Sequence, residues 1–290
     1  MNRDKGNVLV FGGYGQLGQC LQAVVGSANE RLVFLSSQQA NVANEEQLVS
    51  LFNHYKPTIV VNCAAYTAVD QAEDEVEQAN VLNADAPATI AKLCKQFDVE
   101  FIHISTDFVF EGNKTGLLSE TDDTKPVGVY GQSKLAGEQA IEQIWEKHFI
   151  IRTSWLYAPF GNNFVKTMIR LGKERTQLNV VADQVGTPTY GIDLANVILM
   201  FISQPERAYG RYHYSNEGAA SWYDFAHAIF EINQLQVKLL PISTSAFPTK
   251  AKRPAYSVLD KSKIKQQLAI EIPHWRDSLK RCLNFSQSIE

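Results

Sequence analysis

The chain has 290 residues, 45% apolar and 20% charged, with a net charge of −4 and a pI near 5.9. This is ordinary globular composition, long enough for one large core or for a large domain carrying a smaller one. No Lys/Arg block marks a nucleic-acid footprint, and no apolar stretch reaches the ~20 residues of a membrane span, so neither nucleic acid nor membrane is expected as a partner.

Residues 7–11 read as a buried strand, followed by glycines and a helix over 16–25. A second strand is expected at 31–35. A helix at 45–55 sets Leu48, Leu51 and Phe52 on one face, and Pro57 stops it before a third strand at 58–63. A helix follows at 80–97, with Pro87 near a turn start, then a fourth strand at 100–104. A long amphipathic helix at 130–147 and a fifth strand at 149–155 complete the first half. Strands alternate with helices, and most strands are apolar throughout, the pattern of a parallel sheet covered on both faces. The expected fold class is therefore α/β, a Rossmann-type doubly wound parallel sheet.

The second half is less regular. Strands are expected at 178–182, 211–214 and 237–242. Helices are expected at 190–202, with Asp193 near the start, from Ser221 through 232, and at 274–283 after Pro273. Ser221 and Asp224 have capping-box spacing. A soft boundary near 155–165 divides an NAD(P)-binding part, 1–157, from a smaller, interleaved substrate-binding part, 158–290. The latter is expected to cover the open end of the sheet.

Cys20, Cys63, Cys94 and Cys282 are scattered through apolar runs without zinc spacing. They predict free thiols in a reducing compartment. The apolar run at 8–11 is too short for a secretory core, so the cytoplasm is the expected location.

Gly12-x-x-Gly15-x-x-Gly18 joins the first strand to the first helix. The first glycine permits a tight turn, the second admits a pyrophosphate to the backbone, and the third lets helix and strand pack closely. Unpaired N–H groups of the helix, at Gln16 and Leu17, would meet the phosphates. The second strand ends Leu35-Ser36-Ser37-Gln38. An acid there would hold the ribose hydroxyls and repel a 2′-phosphate. Its absence and the neutral donors, Ser36 first, favour NADPH, with NADH as the alternative. Asn41 and Val42 are expected to flank the adenine.

The fourth strand runs into Ser105-Thr106-Asp107, and Tyr130 and Lys134 follow on the long helix, one turn apart. A free tyrosine has a pKa near ~10 and exchanges protons poorly at neutral pH. A lysine cation at ~4 Å, with an effective dielectric of ~20, would favour the phenolate by ~4 kcal/mol before desolvation. The Thr106 hydroxyl can polarise a substrate carbonyl beside the phenol. A Tyr-x-x-x-Lys pair alone is common on amphipathic helices. Its order after the glycine loop and the Ser-Thr-Asp strand end makes Thr106, Tyr130 and Lys134 a candidate catalytic group.

With these elements in place the sequence resembles the extended short-chain dehydrogenase/reductases and, within them, the dTDP-4-dehydrorhamnose reductase family. The resemblance runs over about residues 7–284. It is carried by Val61-Asn62-Cys63-Ala64-Ala65-Tyr66-Thr67-Ala68-Val69-Asp70, by Ser105-Thr106-Asp107-Phe108-Val109-Phe110, and by Val129-Tyr130-Gly131-Gln132-Ser133-Lys134-Leu135-Ala136-Gly137-Glu138. Arg152-Thr153-Ser154-Trp155-Leu156-Tyr157 and Gly161-Asn162-Asn163-Phe164 make it more specific.

The resemblance implies that NADPH delivers hydride to the C4 ketone of dTDP-4-dehydro-L-rhamnose while Tyr130 protonates the oxygen, the last step of dTDP-rhamnose biosynthesis. It implies cofactor contacts at Gly15, Gln16, Leu17, Ala64, Ala65 and Tyr66, with Lys134 on the nicotinamide ribose. Thr106, Asp107, Trp155, Asn163 and Arg253 fall on the nucleotide-sugar side, Arg253 toward the diphosphate. Some members hold magnesium through glutamates and dimerise around it. This chain has Gln19, Cys20 and Gly191-Ile192-Asp193 at those places, so no metal is expected, and the expected state is a monomer or weak homodimer. Asp193 reads as a first-turn acid favourable with the helix dipole. Two other readings stay open. One is a different nucleotide-sugar ketoreductase or epimerase. The other is a non-catalytic subunit of the kind that regulates methionine adenosyltransferase, which the intact Thr106, Tyr130 and Lys134 oppose.

Overall fold

Residues Asn7–Phe11 form the first strand, β1, and its side chains alternate between two cores. Val8 and Val10 enter one, Leu9 and Phe11 the other, and all four are fully buried. A strand with no polar face belongs inside a sheet covered on both sides. The computed structural model describes residues 6–26 and 31–289, so the outer ends of the two expected parts, 1–5 and 290, lie outside the described residues.

After β1 the chain runs α1 (Gln16–Val25), β2 (Leu32–Leu35), α2 (Glu45–Tyr55), β3 (Pro57–Asn62) and α3 (Val76–Asn80). A π-helical turn (Val81–Asp85), α4 (Ala86–Phe97), β4 (Glu100–Thr106), α5 (Val129–Ile144) and β5 (His148–Thr153) follow. Then come β6 (Leu156–Tyr157), α6 (Phe164–Glu174), β7 (Gln177–Val181), β8 (Val185–Gly186), β9 (Thr189–Tyr190) and α7 (Gly191–Ser203). The chain closes with β10 (Gly210–His213), β11 (Ala220–Ser221), α8 (Trp222–Ile232), β12 (Lys238–Ile242), α9 (Ser262–Leu268) and α10 (Trp275–Ile289).

The central sheet has six strands in the order β2-β1-β3-β4-β5-β10, every neighbouring pair parallel. Its strand order reverses between β1 and β3, and such a switch point opens a crevice at the carboxyl ends of the strands. One face is covered by α1, α7 and α9 through Leu17, Leu21, Leu194, Ile198, Phe201 and Ile264. The other is covered by α2, α4 and α5 through Leu48, Phe52, Ile90, Cys94 and Ile141. The second half thus supplies both the sixth strand and two covering helices, α7 and α9, to the main core. A third core joins α6, α8 and α10 through Met168, Phe225, Ile229 and Leu279.

Several elements depart from the sequence reading. The helix expected at 80–97 starts at Val76 and widens into the π turn before α4. Pro87 explains the widening: it lacks an N–H, and its ring would meet the carbonyl four residues back in a regular helix. Helix α5 ends at Ile144 rather than 147 because Trp145 turns extended and its indole donates to the Val99 carbonyl at 2.8 Å. Helix α10 begins at Trp275 and continues past 283 to Ile289. Helices α6 and α9 were not expected. The capping box of Ser221 and Asp224 is present. All four cysteines are free thiols. No helix among the described residues is long and apolar enough to cross a membrane.

Candidate active site

The crevice begins at Gly12, whose φ of +69° suits a residue without a side chain. A Cβ there would lie 2.7 Å from the Ala64 amide nitrogen, so the loop after β1 lies directly against the loop after β3. A Cβ on Gly18 would lie 2.4 Å or less from the Gly12 and Gly13 carbonyls, which explains the last glycine of the motif. Gly15 is the N-cap of α1 and offers no side-chain cap, and the first turn carries no acid. The free N–H groups and dipole of α1 therefore face the crevice uncompensated, a fit to a bound pyrophosphate.

At the end of β2, Ser36 closes a turn with Gln39 through two hydrogen bonds, of 3.0 and 3.3 Å. Beyond it Val42 is buried and Asn41 exposed. Asn41 Oδ1 accepts the Ala43 amide at 3.1 Å. Past β3, the backbone of Tyr66 is clamped by Asn83, whose Oδ1 accepts its N–H at 2.9 Å and whose Nδ2 donates to its carbonyl at 3.0 Å. Asn83 lies in the π turn, and its side chain also donates to Ser133 of α5 at 3.1 Å. The π turn therefore fixes the Ala64-Ala65-Tyr66 loop to the helix that carries Tyr130. Nothing in the motif spacing singled out Asn83.

Helix α5 comes close because Gly131 and Gly137 let it. A Cβ at Gly131 would lie 2.2 Å from the Phe108 carbonyl, and one at Gly137 would lie 2.1 Å from the Asn83 carbonyl. This seats the Tyr130 ring edge-on against Phe108, with centroids 5.5 Å apart. The Thr106 hydroxyl donates to Asp107 Oδ1 at 3.2 Å and faces the Tyr130 phenol. Thr106, Asp107 and Tyr130 are thus brought together as expected.

The electrostatics differ from expectation. Burial pushes the Tyr130 phenol up to about 12, against the lowering pull of Thr106 and with a further rise from the Asp107 charge. Lys134 does not lower it, because its Nζ is turned to the Ile104 carbonyl at 2.7 Å and to His103 at 3.2 Å. Burial brings Lys134 itself down to about 8, while Glu138 and Cys63 pull the other way. Burial also raises the Asp107 carboxyl to about 6, opposed by the neighbouring Ser257 and Thr106 hydroxyls. Desolvation therefore outweighs the opposing hydrogen bonds at Tyr130 and Asp107 and the opposing charges at Lys134.

The remaining candidates sit around this centre. Trp155 has a φ of +46° and stacks on Trp222 at 3.6 Å, with the planes 7° apart. Its ring covers Gly186, where a Cβ would lie 2.8 Å from the indole and 3.0 Å from Ser257 Oγ. A left-handed backbone at a tryptophan stores strain of the kind found at ligand sites. Trp222 gave no sequence signal. Asn163 has its carboxamide engaged within the protein. Oδ1 caps α6 at the Lys166 amide, and Nδ2 donates to Gln16 Oε1 at 3.0 Å and to the Ala158 carbonyl at 2.8 Å. It thereby ties the glycine-loop helix to the second half of the chain. Arg253 makes a bidentate pair with Asp70, at 3.1 and 2.6 Å.

The positions that the resemblance pointed to for a metal are engaged within the protein. Gln19 donates to the Tyr14 carbonyl, and Cys20 packs against Gly191. Asp193 is not a simple first-turn acid: it is buried, and its Oδ2 accepts from Asn216, Ser278 and Arg281. Among the described residues no group of three His, Cys, Asp or Glu side chains is placed to hold a metal.

Residues 6–288 match the family model described as the RmlD substrate binding domain. A dTDP-4-dehydrorhamnose reductase of Aggregatibacter actinomycetemcomitans is 39% identical over 97% of this chain and 99% of its own length. The crystal structure of a dTDP-4-dehydrorhamnose reductase from Clostridium acetobutylicum superposes with a TM-score of 0.93 at 40% identity, covering 97% of this chain and 99% of that one. The enzyme of that name from Bacillus anthracis, solved in complex with NADP, gives the same TM-score of 0.93, identity of 40% and coverage of 97% and 99%. The chain belongs to the RmlD substrate binding domain family, that of the dTDP-4-dehydrorhamnose reductases.

Proposed function

We propose that this oxidoreductase reduces the C4 ketone of dTDP-4-dehydro-L-rhamnose to give dTDP-L-rhamnose, with NADPH as the preferred reductant. The observation that carries the reading is the Thr106–Asp107–Tyr130 cluster at the carboxyl ends of the strands, beside the Gly12–Ala64 crevice. The bound cofactor supplies the hydride. The chain's own residues manage binding and the proton. The uncapped start of α1 receives the pyrophosphate, and the acid-free end of β2 tolerates a 2′-phosphate.

Tyr130 is the proton donor. A phenol held at about 12 is fully protonated at neutral pH, and an alkoxide forming beside it is the stronger base. Thr106 orients the carbonyl oxygen toward the phenol. Asp107 Oδ2, buried without a hydrogen-bond partner, is placed to accept from a sugar hydroxyl. Trp155 walls the sugar, and Arg253 meets the diphosphate by exchanging its Asp70 contact. The test is to supply dTDP-4-dehydro-L-rhamnose with NADPH or NADH, follow cofactor oxidation, and identify the sugar. Stoichiometric oxidation giving dTDP-L-rhamnose, faster with NADPH, supports the reading. A sugar product without net oxidation would replace it with an epimerase.

A further inference from the structure

Trp155, the proposed wall of the sugar, stands in the left-handed backbone region, which a tryptophan rarely adopts. Such a conformation persists only where the surroundings over-determine it. Two ties hold the backbone there. The Ser154 hydroxyl donates to the Thr187 carbonyl at 2.7 Å, and the Thr189 N–H donates to the Trp155 carbonyl at 3.2 Å. Neither tie fixes the ring. The indole lies flat on that of Trp222, with its Cε2 and Nε1 over Gly186. Only its other face and its remaining edge are left for a ligand.

Trp222 is held in turn. It opens α8 directly after the Ser221 cap, and the Phe164 ring packs tilted against it with centroids 4.7 Å apart. Its Nε1–H donates to Oε1 of Gln184 at 3.1 Å. Nε2 of Gln184 donates to the Thr244 hydroxyl at 3.0 Å, and that hydroxyl donates to Asp183 Oδ1 at 2.6 Å. The ends of this chain set its direction. An indole N–H can only donate, and an ionised carboxylate can only accept. The Thr244 hydroxyl and amide hold Asp183 below the usual carboxylate range, so it is ionised at neutral pH. The Gln184 carboxamide therefore has one orientation, oxygen to Trp222 and NH₂ to Thr244. Gln184 is 6% exposed and engaged at both ends, so it acts on a ligand only through its neighbours.

We propose that Gln184 and Trp222 are positioning residues of the sugar subsite: Gln184 pins the Trp222 indole, and the pinned indole fixes the plane of Trp155 for the sugar. An indole that donates to Gln184 cannot swing about its Cβ–Cγ bond without leaving a donor and an acceptor unpaired in a buried place, which is costly. Trp155, lying flat on that ring, shares its plane. Without the pin both rings gain freedom, and the left-handed backbone at Trp155 loses a contact that holds it. The sugar must then order its own wall on binding, and that cost appears in its affinity. The inference rests on the proposed function for identifying the ligand of this wall as a sugar. The pinning itself is a property of the free protein.

The first test is far-ultraviolet circular dichroism of the full chain without ligands, where two stacked indoles couple and give paired lobes of opposite sign. Of the four tryptophans only Trp155 and Trp222 stack on each other among the described residues, so loss of the lobes in Trp155→Leu assigns them. Gln184→Met, close in volume, removes the carboxamide and is expected to weaken the lobes. Lobes of wild-type size would overturn the pinning. The second test is steady-state kinetics with dTDP-4-dehydro-L-rhamnose. Gln184→Met is expected to raise its KM roughly three- to tenfold, the range one neutral hydrogen bond can supply, with the KM for NADPH unchanged. In a Trp155→Leu background the same substitution is expected to change that KM by less than about twofold. An equal rise in both backgrounds is what a merely structural role produces, and it overturns the proposal. Should Gln184→Met fail to fold, Trp222→Phe keeps a ring and removes the N–H. It is expected to raise the KM in the same way, and an unmoved KM overturns the proposal. A wild type that does not reduce the sugar refutes the proposed function, while the dichroism still decides the pinning.

Discussion

Arg152 grips the carboxylate of Glu138 through three hydrogen bonds, of 2.9, 3.1 and 2.6 Å, and neither side chain is more than 1% exposed. The pair joins β5 to α5 one turn beyond Lys134. The Ser105 hydroxyl, at the end of β4, donates to the same carboxylate at 2.5 Å. The Phe110 ring lies 5.1 Å from the guanidinium carbon. Two ions so deep are held by each other, and removing one strands the other. Glu138→Ala should therefore lower stability by about 3–5 kcal/mol, read as a lower denaturant midpoint. A loss below about 1 kcal/mol would mean that the pair contributes little to folding.

Tyr130→Phe removes the proton donor and keeps the ring against Phe108. Turnover should fall by ~10²–10⁴, with NADPH affinity within about twofold of wild type. Near-wild-type turnover would assign the proton to another group.

Asp107 links function to stability. Its carboxyl stands at about 6 in the folded protein, above the ordinary value of 3.8. Between about 4 and 6 the folded form keeps a proton that the unfolded chain has lost, so stability falls as pH rises through that window. The full cost above it is about 3 kcal/mol. Asp107→Asn should thus be more stable than wild type at pH ~8, should lose that advantage near pH ~4, and should bind the sugar substrate more weakly. An equal difference at both pH values would contradict the burial argument.

Arg253 and Asp70 form a pair open to solvent on one side, with 22% and 45% of their side chains exposed. Arg253→Ala should raise KM for the nucleotide sugar by roughly ten- to a hundredfold, the loss of charged hydrogen bonds worth about 1.5–3 kcal/mol. NADPH binding should not change. An unaltered KM would place the diphosphate elsewhere.

Ser36→Asp would put a carboxylate at the end of β2. The KM for NADPH should rise by about tenfold or more, with that for NADH unchanged or lower. Equal effects on both cofactors would remove Ser36 from the ribose site.

The sheet was legible because its determinants are local. Val8–Val10 and Leu9–Phe11 alternate within a run that has no polar face, and Gly12 and Gly18 mark the turn that such a strand requires. The placement of Thr106 beside Tyr130 was legible for the same reason, since strand end and helix start each carry their own signal. The charge state of that pair was not. It depends on where Lys134 points and on how completely Tyr130 is desolvated, and both are set by His103, Ile104 and the close seat of Gly131. Asn163 looked like a ligand contact because its neighbours form a motif, yet both ends of its carboxamide are spent on α6 and Gln16. Trp222 and Asn83 were silent in sequence. A stacked indole and a clamp across the π turn arise from long-range packing, to which no spacing rule applies.

The most direct measurement supplies dTDP-4-dehydro-L-rhamnose with NADPH deuterated at the transferable position of nicotinamide C4 and locates the label. The account requires one deuterium at C4 of the sugar for each NADPH oxidised, delivered ~10²–10⁴ times more slowly in Tyr130→Phe. A product without deuterium, or one formed without net consumption of NADPH, would contradict it.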